Sequence, residues 1–179
     1  MSELSDQVIV RQVLGGDVTA FAHLVDRYQR VVYNAAYRIT SDRHDAEDVT
    51  QTVFLKVYEN LRLYNSKYRF YSWMYRIAIN EALNHQAARR RSEADLEEVA
   101  EPGEEDRAYE AVELEQQVQE AIYRLEPSDR ALVVLKHFQG FSYEEMGFIL
   151  DLPVRKVKSR LYTARQRLKN ELILAKVSG

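Results

Sequence analysis

Residues 142–169, SYEEMGFILDLPVRKVKSRLYTARQRLK, decide the fold. Ser142 is a favoured N-cap residue and Glu145 stands three positions on, the capping-box spacing in which two side chains satisfy two otherwise unpaired amides. A short helix therefore starts here and runs through Met146 to Leu150. The chain then turns through Asp151 and Leu152, and Pro153 suits the first turn of a new helix, where its missing N–H costs nothing. The spacing predicts two faces for that second helix. Val154, Val157, Leu161, Ala164, Leu168 and Leu172 recur at helical period, while Arg155, Lys158, Ser159, Tyr162, Arg165 and Lys169 line the other side. Capped helix, tight break and basic helix make the layout of a helix-turn-helix. A cationic face carrying hydroxyl and aromatic groups suits the phosphates and base edges of a major groove. A solvated Lys/Arg face of an ordinary surface helix accounts for the charges alone, not for the order of cap, turn and basic helix.

Upstream of this unit, long windows keep helical periodicity and strand signals are nearly absent, so the fold class is all-α. A helix from about residue 5 ends at Gly15-Gly16, and Asp17 caps a second that carries Phe21, Leu24, Val25, Tyr28, Val32, Ala35 and Ile39 on one side. A third spans about 45–61, residues 62–69 form a loop, and a fourth spans about 70–90. Together they make a bundle of roughly ninety residues, within the normal domain range. Residues 92–106 combine Glu/Asp enrichment, Pro102-Gly103 and few apolar residues, which is the composition of a flexible acidic linker rather than a core. Helices over about 112–125 and 127–138 then lead into the helix-turn-helix. The chain thus divides into two small helical domains, residues 1–91 and 111–179, with a linker over 92–110.

The 179 residues carry a formal net charge of −3, which looks wrong for a DNA-binding protein until the charge is divided along the chain. Residues 92–115 are dominated by acids, with Arg107 their only base, whereas Arg89 to Arg91 and the last helix are basic. Weak overall charge implies little counterion release by the chain alone, so stable DNA binding calls for a partner that adds cationic surface. The absence of cysteine excludes disulfides and thiolate metal sites. The polar, acidic first ten residues lack the pattern of a signal peptide, and no apolar run approaches a membrane span, so a soluble cytoplasmic protein without membrane insertion is expected.

Two further surfaces carry information. In the third helix, Ala46, Val49, Val53, Val57 and Leu61 form a core stripe, and Asp48, Gln51, Leu55 and Tyr58 form a second stripe suited to a protein partner. Favourable charge at a helix start explains Asp45, Glu47 and Asp48 equally well, but not the continuation of the row. Around the fourth helix Tyr64, Tyr68, Phe70, Tyr71, Trp73 and Tyr75 interleave with Lys67, Arg69 and Arg76. Aromatic platforms beside cations are what single-stranded nucleic acid requires. Trp73, Arg76, Asn80 and Asn84 fall along one side, a row able to hold and read an extruded base. Part of the aromatic set belongs to the core, with Phe70, Met74 and Ile77 expected there. Catalytic constellations are missing. His23, His44, His85 and His137 are scattered without metal-ligand spacing, there is no phosphate-cradling glycine loop, and the carboxylates sit in the linker or at helix starts. No enzyme, metal or cofactor is expected.

With DAEDVTQ at 45–51 followed by Phe54, YSWMYRIAIN at 71–80, LEP at 125–127, GFSYEEM at 140–146 and VKSRL at 157–161, the chain resembles the extracytoplasmic-function (ECF) sigma factors. These are the compact two-domain members of the sigma-70 family of bacterial RNA polymerase initiation factors. The resemblance covers nearly the whole length. It implies a region 2 domain up to about residue 91 and a region 4 domain from about residue 110, with core RNA polymerase and promoter DNA as partners. The family's polymerase-binding surface maps onto Asp45, Asp48, Gln51 and Phe54, which the second stripe extends to Leu55 and Tyr58. Its -10 reading surface maps onto the loop with Tyr64, Lys67, Arg69 and Phe70 and onto Trp73, Arg76, Asn80 and Asn84. Its -35 contacts map onto Lys158, Ser159, Arg160, Tyr162 and Arg165. Arg155 and Lys156 stand where many relatives have Gly-Thr and add cations for phosphate anchoring. Many relatives also have Gly in place of Asp151 and Ala in place of Gly147; a helical Gly costs about 1 kcal/mol. Members of the family are often held inactive by an anti-sigma factor clamped between the domains, an expected partner here. Two other readings stay open: a helix-turn-helix regulator that binds duplex without polymerase, and a decoy that occupies polymerase without opening promoters.

Overall fold

The computed structural model describes residues 4–96 and 110–177. Eight α-helices cross these residues: α1 (Asp6–Leu14), α2 (Phe21–Thr40), α3 (Arg43–Glu59), α4 (Phe70–Leu96), α5 (Glu110–Tyr123), α6 (Pro127–Val133), α7 (Tyr143–Leu150) and α8 (Val154–Val177). No strand occurs among the described residues, and none of their helices is long and apolar enough to cross a membrane.

In the first domain α2, α3 and α4 pack on one another through the predicted stripes. Leu24, Val32, Ala35 and Ile39 of α2 meet Ala46, Val49, Val53 and Val57 of α3, all buried. Gly16 closes the turn after α1 at φ +107, a conformation that only glycine adopts freely. Helix α3 begins two residues earlier than its acidic run suggests, because Asp42 is its N-cap. The Asp42 carboxylate accepts from the Asp45 amide at 3.0 Å, and this bond, helped by the Arg89 guanidinium, holds it below the usual carboxylate range. Helix α4 continues to Leu96 rather than stopping near residue 90, since Glu93, Ala94 and Leu96 are good helix formers. The acidic linker sequence over 97–109 lies outside the described residues.

In the second domain the Ser142 capping box is fully formed: the Ser142 hydroxyl accepts from the Glu145 amide at 3.1 Å and the Glu145 carboxylate accepts from the Ser142 amide at 3.0 Å. The break after α7 is set by Asp151, left-handed at φ 54. Val157, Leu161 and Ala164 are the buried stripe of α8, flanked by half-buried Val154, Leu168 and Leu172. The helix expected over 127–138 is divided. After α6 the chain widens into a π-turn over Val134–Phe138, with the Gln139 amide bonded to the Val134 carbonyl five residues back.

Two separate cores were expected, one per domain. Instead Leu132, Leu135, Phe141, Met146 and Ile149 of the second domain join Val32, Tyr75 and Ile79 of the first in one continuous buried cluster, chiefly because α7 lies along α4. A satellite of Ile122, Leu125, Val133 and Ala164 holds α5, α6 and α8 together.

Candidate functional site

Three faces carry the residues singled out by sequence. On α3, Asp48, Gln51, Leu55 and Tyr58 form an exposed row, with Leu55 58% exposed and the Tyr58 ring edge-on to Phe21. Asp45 stands behind this row, bonded to Arg89 at 2.6 Å. Phe54 is 8% exposed and packs into the core. Leu55 and Tyr58, not Phe54, therefore present the apolar part of this face.

On the second face Tyr64, Phe70 and Trp73 form a three-ring cluster with centroids 5.4–5.8 Å apart. Phe70 is 2% exposed, as its expected core role requires, and its ring packs against the other two. Met74 is buried and Ile77 partly so. The Tyr64 hydroxyl donates to the Tyr68 carbonyl at 2.8 Å, fixing the loop that exposes Lys67. Asn80 and Asn84 are exposed further along α4. Arg69 and Arg76 are engaged by the second domain. Arg69 pairs with Glu145 at 3.3 Å, and Arg76 donates to the Phe148 carbonyl at 2.9 Å and lies 3.7 Å from Asp151.

The third face is on α8. Arg155, Lys156, Lys158, Ser159 and Tyr162 are exposed, Tyr162 at 65%. Arg160 and Arg165 turn away from it. Arg160 donates to the Ser128 hydroxyl at 2.6 Å and lies 3.7 Å from Asp129, which also accepts from Arg167 at 2.6 Å. Asp129 is 5% exposed, so these arginines neutralise a buried carboxylate. Arg165 donates to His137 Nε2, and burial together with that guanidinium pushes the imidazole pKa down and keeps the ring an acceptor.

The domain interface was not foreseen. Arg130, 2% exposed, donates to the Leu125 carbonyl at 2.8 Å and across the interface to the Ile39 carbonyl, with its guanidinium 4.2 Å from the Tyr123 ring centroid. Burial lowers its pKa to about 10, so it stays charged at neutral pH. Gln119 donates to the Tyr37 and Arg38 carbonyls, and the Tyr71 hydroxyl donates to Gln139 at 2.9 Å. The one sequence signal was Arg130 standing before the apolar run 131–135; Gln119 and Phe148 gave none.

Comparison with known proteins now decides the family. The family model for sigma-70 region 2 matches residues 24–92 and that for sigma-70 region 4 matches residues 115–168. The ECF RNA polymerase sigma-E factor of Escherichia coli is 37% identical over 96% of this chain and 97% of its own. The RNA polymerase sigma-H factor of Pseudomonas aeruginosa is 34% identical over 96% of each. The chain belongs to the ECF sigma factors. As a member of that family, this sigma factor is a non-enzymatic transcription initiation factor of RNA polymerase. Its fold matches that of the sigma factor RpoE of Bartonella quintana, solved with the anti-sigma factor NepR, with a TM-score of 0.73 at 23% identity over 85% of this chain and 96% of that one. It also matches CnrH, solved with the cytosolic domain of CnrY, with a TM-score of 0.72 at 24% identity over 94% and 97%.

Proposed function

We propose that this sigma factor directs promoter-specific initiation by dividing the work among three faces. The α3 row of Asp48, Gln51, Leu55 and Tyr58 seats the chain on core polymerase, with Asp45 and Phe54 holding the row in place. The α4 face, from Tyr64, Lys67 and Arg69 through Trp73, Arg76, Asn80 and Asn84, receives the opened -10 strand, and Phe70 keeps Tyr64 and Trp73 positioned. The α8 face, with Arg155, Lys156, Lys158, Ser159 and Tyr162, enters the -35 major groove, while Arg160 and Arg165 brace α8 from the protein side. The observation that carries this reading is that an apolar-polar protein-type row and two cation-aromatic faces stand on three different helices of one chain.

The functional division follows the same lines: residues 1–91 for polymerase and -10 DNA, 92–110 as the acidic linker, 111–179 for -35 DNA. The chain acts in the cytoplasm, and an anti-sigma factor, as in the NepR and CnrY complexes of its structural neighbours, is a further partner.

The test is transcription in vitro by sigma-free core polymerase supplied with this chain on a pool of randomised promoters. Transcripts whose start sites share two spaced elements, and which are lost with Gln51→Ala or Asn80→Ala, are expected. Specific duplex binding without polymerase would instead identify a self-sufficient regulator, and polymerase binding without transcripts a decoy.

A further inference from the structure

The second domain meets part of the -10 face, at Tyr68, Arg69, Ser72 and Arg76, with groups that match those of a DNA strand. Single-stranded DNA offers a cation-aromatic face three things: negative oxygens, further hydrogen-bond acceptors and flat rings. Helix α7 and its C-terminal turn offer all three in one place. The Glu145 carboxylate pairs with Arg69 and accepts from the Ser72 hydroxyl at 3.2 Å. The Phe148 carbonyl accepts from Arg76, and the Asp151 carboxylate lies 3.7 Å from the same guanidinium. The Phe148 ring stacks on Tyr68 with centroids 4.1 Å apart and planes 16° from parallel, the geometry of a base on an aromatic platform.

We infer that α7 is an intramolecular mimic of the -10 strand, which keeps the free sigma factor closed and weakens its hold on single-stranded DNA. The inference rests on the assignment of the α4 face to -10 DNA. It requires no inhibitor: the chain competes with its own ligand. The polymerase row on α3 and the -35 face on α8 remain exposed in the closed form, so core polymerase can dock first and the competition ends when the second domain is drawn away. A closed state that excludes strand lowers apparent affinity by the fraction of molecules that are open.

The chain has no cysteine, so a spin label at each of two introduced thiols is unambiguous. Labels at Gln29→Cys and Gln166→Cys, both exposed and outside the three faces, report the distance between domains. The same full-length protein is titrated with a fluorescein-labelled random-sequence single-stranded 15-mer. Wild type is expected to show one narrow distance distribution and weak strand binding. E145Q/D151N removes both charges while keeping a glutamine able to serve the capping box and an asparagine able to adopt the left-handed turn. It should broaden the distribution and tighten strand binding about fivefold, and adding Phe148→Ala should take the gain beyond about tenfold. A broad distribution in wild type, or an opened variant with unchanged strand affinity, overturns the mimic. Neither result touches the proposed function, which is judged by promoter-dependent transcripts from the wild-type holoenzyme.

Discussion

The guanidinium of Arg130 in α6 donates a 2.5 Å hydrogen bond to the carbonyl of Ile39 at the end of α2, so a buried cation of the second domain caps a helix of the first. Its planar fork also reaches the Leu125 carbonyl, which a single ammonium cannot do at the same time. Arg130→Lys should therefore cost about 1–3 kcal/mol of unfolding free energy, the penalty of one buried acceptor left unpaired. Urea denaturation measures it, and an unchanged midpoint would show that the two carbonyls do not depend on the fork.

Gly147 reverses the ordinary helix preference. A Cβ built on it would stand 2.8 Å from the Leu152 carbonyl oxygen, a backbone atom that cannot swing aside. Alanine gains about 1 kcal/mol in a helix interior, but forcing an atom into a packed contact costs about 1–3 kcal/mol. With backbone as the obstacle the upper end of that range applies. Gly147→Ala should be less stable than wild type in thermal melts, by several degrees.

Acid should loosen the contact between the domains. Burial raises the Glu145 pKa, but hydrogen bonds from Ser142 and Ser72 and the charge of Arg69 outweigh it and leave the carboxyl below its ordinary value of 4.5. A depressed carboxylate stabilises the fold above its unfolded value, and that contribution disappears as pH falls through the lower folded value. Unfolding free energy should therefore fall as pH drops below 4.5, and E145Q should flatten that limb of the profile. Parallel acid limbs for the two proteins would remove Glu145 from the account.

On α3, Leu55 is 58% exposed, so charge there leaves folding within about 0.5 kcal/mol. Leu55→Asp should nevertheless weaken binding to core polymerase by at least about tenfold, as expected for an apolar anchor at the centre of an interface. Fluorescence titration of labelled protein with core enzyme measures this directly, and wild-type affinity in the variant would place the interface elsewhere.

The arginines of α8 should separate into two kinds. Arg155→Ala, on the open face, should lower the salt dependence of holoenzyme binding to -35 duplex by about one counterion. Arg160→Ala should leave that slope alone and cost about 1 kcal/mol of stability, because its bonds go to Ser128 and the buried Asp129. The two slopes, measured between low and moderate salt, decide the matter.

Periodicity and capping made the helices of each domain legible in the sequence, since Ser142 with Glu145 and the stripe Val157, Leu161, Ala164 depend only on neighbours within a few turns. The exposed row on α3 was legible for the same reason. What stayed hidden depends on contacts between distant residues. Glu145 reads as a cap whether or not Arg69 stands opposite it, and nothing near Phe148 in the sequence points to Tyr68. The helical spacing puts Arg165 on the basic side and the family resemblance adds Arg160 to the -35 contacts, yet His137 and Asp129 draw the two inward. Helix propensity, being local, counts only the cost of Gly147, because the Leu152 carbonyl that a Cβ would meet is not part of that helix.

Of the last carbonyls of α2, that of Thr40 is satisfied within the first domain by Gln86, whereas those of Tyr37, Arg38 and Ile39 receive Gln119 and Arg130 of the second. Uncapped helix ends fray, so disordering the second domain removes support from the corner between α2 and α3 as well. In a calorimeter the closed chain should therefore behave as one cooperative unit with a single heat-absorption peak, although its sequence is written as two modules.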